Sequence, residues 1–585
     1  MYNQIFDPVG GSLALSALVA LLPLLTIFLL LGVLKMKAQW AALIALAVSL
    51  AVAIIAYGMP VGQALSAAAE GATFGIFPIM WIVVTAIWIY TLTVATGHFD
   101  VLRRSFGTVS SDQRIQAIII AFCFGALMEA LAGFGTPVAI SSVMLIALGF
   151  RPMKAAAVAL VANTAPVAFG AIAVPITTLA KITGLPVHEL ASMVGRQTPI
   201  LALFVPLVLV FMVDGRRGLR QTWLPAVVGG VVFAIAQFIS SNYLSVELTD
   251  IIASLASAAA IVALLRVWQP AEELTVEALS EEELSSRISD ATASAHAAET
   301  GGSRRGGATS SGSSKGASVS TDSRDPGSNR PASAGPVVDP PAEVVKAYLP
   351  YIIIIVVFSV AQIGAVKTIL SAGSLKFDWP GLDIVSPSGQ PPSSVSFAFG
   401  FLSAAGTLLL FSGLLTMVAL KISPARGLKA FGDTLNQLKW AILTVAAVLG
   451  LAYVMNLSGQ TISIGQWIAG TGAFFAFLSP VLGWLGVAVT GSDTSANALF
   501  GTLQVAAAQK AGLSEVLLAA GNSSGGVLGK MISPQNLAIA AAATGMAGKE
   551  GDLFRKVIFW SLGFLFFMCV LVYLQSTPVL SWMVP

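Results

Sequence analysis

Apolar residues run through this chain in long blocks, each bounded by a short polar or charged break. A helix needs roughly 20 apolar residues to cross the hydrocarbon core of a bilayer. With no water there, backbone groups must bond within the segment, which selects helices. The blocks predict spans near 13–34, 39–58, 71–96, 153–181, 196–213, 221–240, 247–267, 346–368, 397–420, 440–457, 513–545 and 557–577. Two further stretches, 114–149 and 473–510, are too long for one crossing and are broken at their centres by GFGTP (133–137) and GSDTS (491–495). Each predicts either two crossings or a re-entrant hairpin.

Composition narrows the class. The chain is 56% hydrophobic and 10% charged, with a mean hydropathy of +0.85, which leaves little room for a soluble protein. The net charge of +3 sits in short loops and points to no nucleic acid. Cys123 and Cys569 fall inside apolar segments, so neither a disulfide nor a metal site is expected. The N-terminus MYNQIFDPVGG has no basic residue, so the first apolar block reads as a retained span rather than a signal peptide.

Charge then orients the blocks. With the N-terminus outside and both long stretches taken as hairpins, nineteen of the 31 Lys and Arg fall in cytoplasmic short loops or span ends. Five (Lys181, Arg196, Lys367, Lys376, Lys510) fall outside, six lie in the loop 269–345, and Lys530 lies within the membrane. That bias is the one expected of cytoplasmic loops. The expected fold is an all-α polytopic membrane protein of about twelve transmembrane helices plus two re-entrant hairpins, both termini outside. The loop 269–345 begins acidic and turns Ser-, Gly- and Arg-rich, so it reads as a disordered cytoplasmic linker.

An internal repeat organises the rest. NTAPVAFGAIAVP (163–175) and NSSGGVLGKMISP (522–534) share Asn at the first place, Gly at the eighth and Pro at the thirteenth. The hairpin tips keep step, Gly133 lying 30 residues before Asn163 and Gly491 lying 31 before Asn522. Seven crossings separate the copies, an odd number, so the repeats are inverted. The expected division is a first repeat at 1–213 (hairpin 114–149, broken helix 153–181), connecting helices at 214–268, the loop, and a second repeat at 346–585 (hairpin 473–510, broken helix 513–545). Inverted repeats with interrupted helices meeting near the midplane are a mark of secondary transporters. Free helix ends at such breaks present N–H donors to an anion.

Ionisable residues at membrane depth need a reason, because each costs about 2.5–3.5 kcal/mol to insert. Lys530 reads as a counter-charge for an anionic substrate or for Asp493, or else as a lysine snorkelling to an interface. Asp493 reads as a proton carrier, a partner of Lys530, a help to a cation, or a hairpin-tip cap. Glu129, one turn before Gly133, reads as a coupling residue or a buried acid bonded to backbone. Gly133, Phe134, Gly135, Thr136, Asn163, Thr164, Ser492, Thr494, Ser495, Asn522, Ser523 and Ser524 are candidate substrate-binding positions, supplying short hydrogen bonds and close backbone approach. Glu70, His98, His188 and Glu189 fall near block ends and are expected to be solvated.

The stretches EALAGFGTPVAI (129–140), NTAPVAFGA (163–171), TGSDTSANALFG (490–501) and GKMISPQN (529–536), with WQP at 268–270, resemble the L-lactate permease family. The resemblance covers nearly the whole chain outside 275–340. It implies proton symport of L-lactate, and of glycolate or D-lactate, across the cytoplasmic membrane. It centres substrate and coupling on Glu129, Gly133–Pro137, Asn163–Pro166, Ser492–Ser495, Asn522–Ser524 and Lys530. The hairpin-plus-broken-helix repeat also looks like the wider ion-transporter group that contains dicarboxylate–sodium symporters, so a sodium-coupled carboxylate transporter is the alternative. An intramembrane enzyme would need a nucleophile–base pair or a metal cluster, and only three His are present. Implied partners are a small monocarboxylate, a proton and the bilayer. No cofactor is implied, and a homo-oligomer stays open.

Overall fold

The computed structural model of the chain describes residues 1–34, 36–107, 109–131, 133, 135–274, 339–361, 363–386, 392, 395–546 and 549–585. Among these, nine helices are long and apolar enough to cross a membrane, or up to ten with one bent pair taken as a single span. Leu13–Leu31, Ala38–Ile55, Pro341–Ala361 and Glu550–Gln575 coincide with expected blocks. The blocks 196–213 and 221–240 join into one run, Thr198–Ile239, interrupted where Asp214, Gly215 and Thr222 leave helical geometry. The block expected at 71–96 starts earlier, at Val61, so Glu70 falls inside a span and not at its end.

The all-α expectation needs one correction. Strand β1 (Tyr2–Asn3) pairs in parallel with β3 (Ile384–Val385), and β2 (Leu375–Asp378) pairs antiparallel with β4 (Ser396–Phe399). β4 takes the start of the block expected to span from 397, and its helix is the shorter Ala405–Ala419. Aromatic pairing accounts for this. Phe377 sits directly opposite Phe397 with ring centroids 5.8 Å apart, and Trp379 packs on Phe397 at 5.4 Å.

Both long stretches fold as helix–turn–helix units. The first runs from Gln113 to Leu131, turns through Gly133 and Gly135, and returns as Thr136–Ala147. Twelve returning residues rise about 18 Å, short of a full crossing. The second comprises Phe475–Thr490, a turn at Gly491 and Asp493–Ala511. Each unit packs across the molecule. Asp493–Ala511 lies against Gly170–Thr183, and Thr136–Ala147 lies against Pro534–Ala543.

The break at 153–181 falls where expected, between Pro152–Ala162 and Val167–Thr183, with a 65° bend. The break at 513–545 does not. Asn522, Ser523 and Ser524 sit inside the helix Glu515–Gly529, and the chain unwinds only at Lys530–Ser533, ahead of Pro534. The glycines explain the difference. Gly521, Gly525 and Gly529 are four apart and form one stripe facing Phe475–Thr490. A Cβ on Gly525 would lie 2.1 Å from the Pro480 carbonyl oxygen, and one on Gly529 2.3 Å from that of Trp484. From the other side, a Cβ on Gly483 would lie 1.8 Å from the Asn522 carbonyl oxygen. The stripe brings two helix backbones into contact, a common packing device inside membranes.

Of the loop expected at 269–345, residues 275–338 lie outside the described residues, and both flanks are anchored. Arg114, only 1% exposed, donates to Asp112, Asp214, Gln221 and the Glu272 carbonyl. The Leu274 amide donates to Asp112 Oδ2 at 3.1 Å. On the other flank Arg104 forks onto Asp339 with two 2.8 Å bonds, holding that carboxyl below the usual carboxylate range. Arg114→Met is therefore expected to lower stability by about 3–5 kcal/mol, because it strands buried acceptors. Deletion of 280–335 leaves these bonds in place and is expected to leave melting in detergent near wild type. Thermal unfolding of the two purified variants checks both outcomes.

Candidate functional site

The two breaks and the two hairpin turns meet around one cavity of about 100 Å³. That is room for several water-sized groups. Glu129 and Gly133 enter it from the first unit, and Thr490 to Ser495 from the second. Gly170, Ala171, Val174 and Pro175 come from the first broken helix, Lys530 and Gln535 from the second, and Thr444 and Val445 from Pro424–Ser458.

At its wall the Lys530 ammonium donates to Glu129 Oε1, both side chains being buried. Asn163 Nδ2 donates to Glu129 Oε2 at 2.9 Å, so both carboxylate oxygens are engaged. Of the two partners expected for Lys530, an anionic substrate or Asp493, the second is thereby corrected: the ammonium pairs with Glu129. The reason is geometric: 401 residues separate the pair, and only the packing of distant parts of the chain joins them. The turn carrying Lys530 is closed on itself. Its carbonyl accepts from Asn536 Nδ2 at 2.9 Å and from Ser533 Oγ at 3.0 Å. Gly170 makes room for the carboxylate, since a Cβ there would lie 2.8 Å from Glu129 Oε1. Beyond it, Ala171, Ile172 and Ala173 hold left-handed φ values of 44°, 58° and 57°. Such residues are strained by about 1–3 kcal/mol each and persist where packing over-determines them.

Asp493, 3% exposed, opens the helix after the second turn. Its Oδ2 accepts from Ser523 Oγ at 2.6 Å and Asn497 Nδ2 at 3.3 Å, while Oδ1 has no partner. Oδ1 lies against Gly526, where a Cβ would come within 2.2 Å of it.

Seven expected residues, Glu129, Gly133, Ser492, Asp493, Thr494, Ser495 and Lys530, thus line one cavity. The others do not. Asn163 stands behind Glu129, and Thr164 Oγ1 turns to the Val161 carbonyl at 2.7 Å. Asn522 bonds Asn497 and Gln504, Ser523 bonds Asp493, and Ser524 donates to Gln197 Oε1 at 2.6 Å. Gly135 packs on Ile539, the Thr136 backbone opens Thr136–Ala147, and Phe134 lies outside the described residues. GNSSG (521–525) has the spelling of a nucleophile elbow, yet it lies mid-helix rather than at a strand–turn–helix, and its central Ser523 pairs with an acid.

Sequence reasoning missed Gln535, Thr444, Thr490, Gly170 and Asn497. Gln535 and Asn497 lie inside motifs already singled out, Asn497 one turn after Asp493; Thr444 carried no signal. Glu70, expected to be solvated, is fully buried. Among the described residues, no group of three or more His, Cys, Asp or Glu side chains converges to hold a metal ion.

A multi-pass, mostly helical membrane protein with a buried ion pair at the wall of an internal cavity is the class these features define. The family model for L-lactate permease matches residues 16–301 and 319–579, and the chain belongs to that family. It is 41% identical to the L-lactate permease of Bacillus subtilis (strain 168), over 100% of both chains. It is 40% identical to the glycolate permease GlcA of Escherichia coli (strain K12), over 98% of each. Among solved structures it is similar to Neisseria gonorrhoeae MtrF, from a class of antimetabolite efflux pumps, at 14% identity and a TM-score of 0.47, covering 94% of this chain and 97% of that one.

Removing one member of a buried pair leaves the other uncompensated. Lys530→Met and Glu129→Gln should each destabilise, Lys530→Met by about 3–5 kcal/mol. The double variant should be less destabilised than the sum of the two. Melting of the four proteins in detergent measures the coupling, and strict additivity would rule the pair out.

Proposed function

We propose that this chain is a secondary transporter that imports L-lactate, with D-lactate and glycolate as further substrates, across the cytoplasmic membrane together with a proton. The observation that carries the reading is the buried Lys530–Glu129 pair at the wall of a small cavity that hydroxyl, amide and apolar side chains line together. With the cavity empty, the ammonium is satisfied by the carboxylate. When Glu129 takes up a proton, Lys530 loses its anionic partner and can accept the carboxylate of a monocarboxylic acid instead. The charges of the pair sum to zero before protonation and after the anion has bound, so one proton accompanies one anion. Ser492, Thr494, Ser495 and Gln535 offer hydrogen bonds to the hydroxyl and the second carboxylate oxygen. Asp493, which lines the same cavity and has an unpartnered Oδ1, is a second carboxyl available to carry a proton. Relatives named for lactate and for glycolate support a small hydroxy acid as the cargo.

The same proposal includes the topology: twelve spans, two re-entrant hairpins, inverted repeats at 1–213 and 346–585, and both termini outside. The 65° break, the short returning arm Thr136–Ala147 and the reciprocal packing of each hairpin on the other repeat's broken helix support it.

In proteoliposomes, labelled lactate is expected to accumulate on an inward proton gradient with the membrane potential clamped. At equal pH it should not respond to a sodium gradient; a sodium-only response selects the sodium-coupled alternative. Lys530→Met is expected to raise the KM for lactate about tenfold or more, the loss of one charge-assisted hydrogen bond. Single cysteines at 376 and 426, in a background lacking Cys123 and Cys569, should label from outside and inside respectively. Labelling of both from one face would overturn the inverted arrangement.

A further inference from the structure

Glu70 is a buried acid that the cavity leaves unexplained. It is fully inaccessible, sits within the span Val61–Ala95, and neither carboxylate oxygen has a hydrogen-bond partner. Its nearest chemistry comes from two other helices. Tyr453, on Pro424–Ser458, is equally inaccessible, interacts electrostatically with Glu70, and has a hydroxyl with no partner. Lys181, on Gly170–Thr183, is the cation whose field reaches Glu70, and Thr178 Oγ1, one turn earlier, is buried and unpaired. Ala38–Ile55, which also packs on Val61–Phe74, carries no titratable side chain. Lys376, on β2, stands beyond Lys181.

These groups are offset from the cavity along shared helices. Val445 lines the cavity, and Tyr453 follows eight residues later on the same helix, about 12 Å along its axis. Val174 lines it too, and Lys181 follows seven residues later, about 10 Å on. Gly71 and Gly75 press the Glu70 helix onto Leu449 and Ala446, backbone against backbone, which fixes Glu70 at the level beyond the cavity. Past it, the Lys181 ammonium donates to the Ser396 carbonyl of β4 at 3.1 Å and lies 6.0 Å over the Phe74 ring. A carboxyl, a phenol and a hydroxyl, all unpaired, thus fill the interval between the cavity and the β2–β4 ribbon.

An ionised carboxylate with two empty oxygens is poorly tolerated in an apolar interior. A protonated carboxyl is neutral and is tolerated far better. Binding a metal cation there is opposed by the Lys181 ammonium, whereas a proton neutralises the carboxyl itself. We propose that Glu70, with Tyr453 and Lys181, is a second proton-binding site, which passes the transported proton between the face carrying the β2–β4 ribbon and the substrate cavity. On losing that proton, Glu70 recruits Lys181 from the Ser396 carbonyl as its counter-charge. The inference rests on the proton-symport reading above.

The test separates net transport from exchange in proteoliposomes. Lactate–lactate exchange at equal pH needs no release of the proton, so a neutral mimic of the protonated acid should support it. Glu70→Gln is expected to keep exchange and to lose at least tenfold in the initial rate of uptake on a pH gradient. Tyr453→Phe, which preserves packing, is expected to show the same split with a smaller loss. Wild-type protein that ignores the pH gradient overturns the symport reading itself. Wild-type protein that responds, with both variants matching it or losing net uptake and exchange in parallel, overturns the Glu70 relay and leaves symport standing.

Discussion

A lysine and a glutamate at membrane depth must find each other or be neutralised, and that constraint governs this architecture. Lys530 and Glu129 lie in opposite halves of the chain, so their contact forces the two halves to cross. The chain is broken beside the pair, at Asn163–Phe169 and Lys530–Ser533, and each break has to be covered by protein. The hairpins supply that cover, each from the other half. Asn497 Nδ2 reaches the Pro175 carbonyl at 3.2 Å, and the Gly491 turn lies against Gln535.

The same small residues serve two ends. In the second broken helix, the glycine stripe allows backbone contact with the hairpin, while the intervening Asn522, Ser523 and Ser524 turn to Asn497, Asp493 and Gln197. The polar run is therefore a scaffold for Asp493, and the cavity-lining surface lies about two turns further along, at Lys530. Gly170 does the equivalent for Glu129 by leaving the space its carboxylate occupies. Charge placement and tight packing are thus coupled at both acids.

The linker flanks show how a segment outside the spans becomes part of the membrane unit. Arg114 sits at the base of the first hairpin, and Glu272 and Leu274 close over it through Arg114 and Asp112. The other flank reaches the neighbouring helix through Arg104 and Asp339. Composition alone reads this stretch as solvent-exposed from 269 onward. It carries no sign that its first residues complete a buried ion cluster.

The sequence by itself determined that this is a multi-pass helical membrane protein. It determined that helices are interrupted near 163–175 and 522–534, and that Glu129, Asp493 and Lys530 are among the ionisable groups requiring an account. Those follow from local properties: block length, hydropathy, and the penalty on charge in lipid. The family followed as well, from motifs that are contiguous in the chain. Tertiary structure alone decided that Lys530 pairs with Glu129, that Asn522–Ser524 stay helical, that Glu70 is buried, and that β4 replaces the start of a span. In each case the deciding contact is remote in sequence, such as Gly525 on Pro480 or Phe377 opposite Phe397. Periodicity and composition report what a segment can tolerate, and they do not report which distant segment meets it.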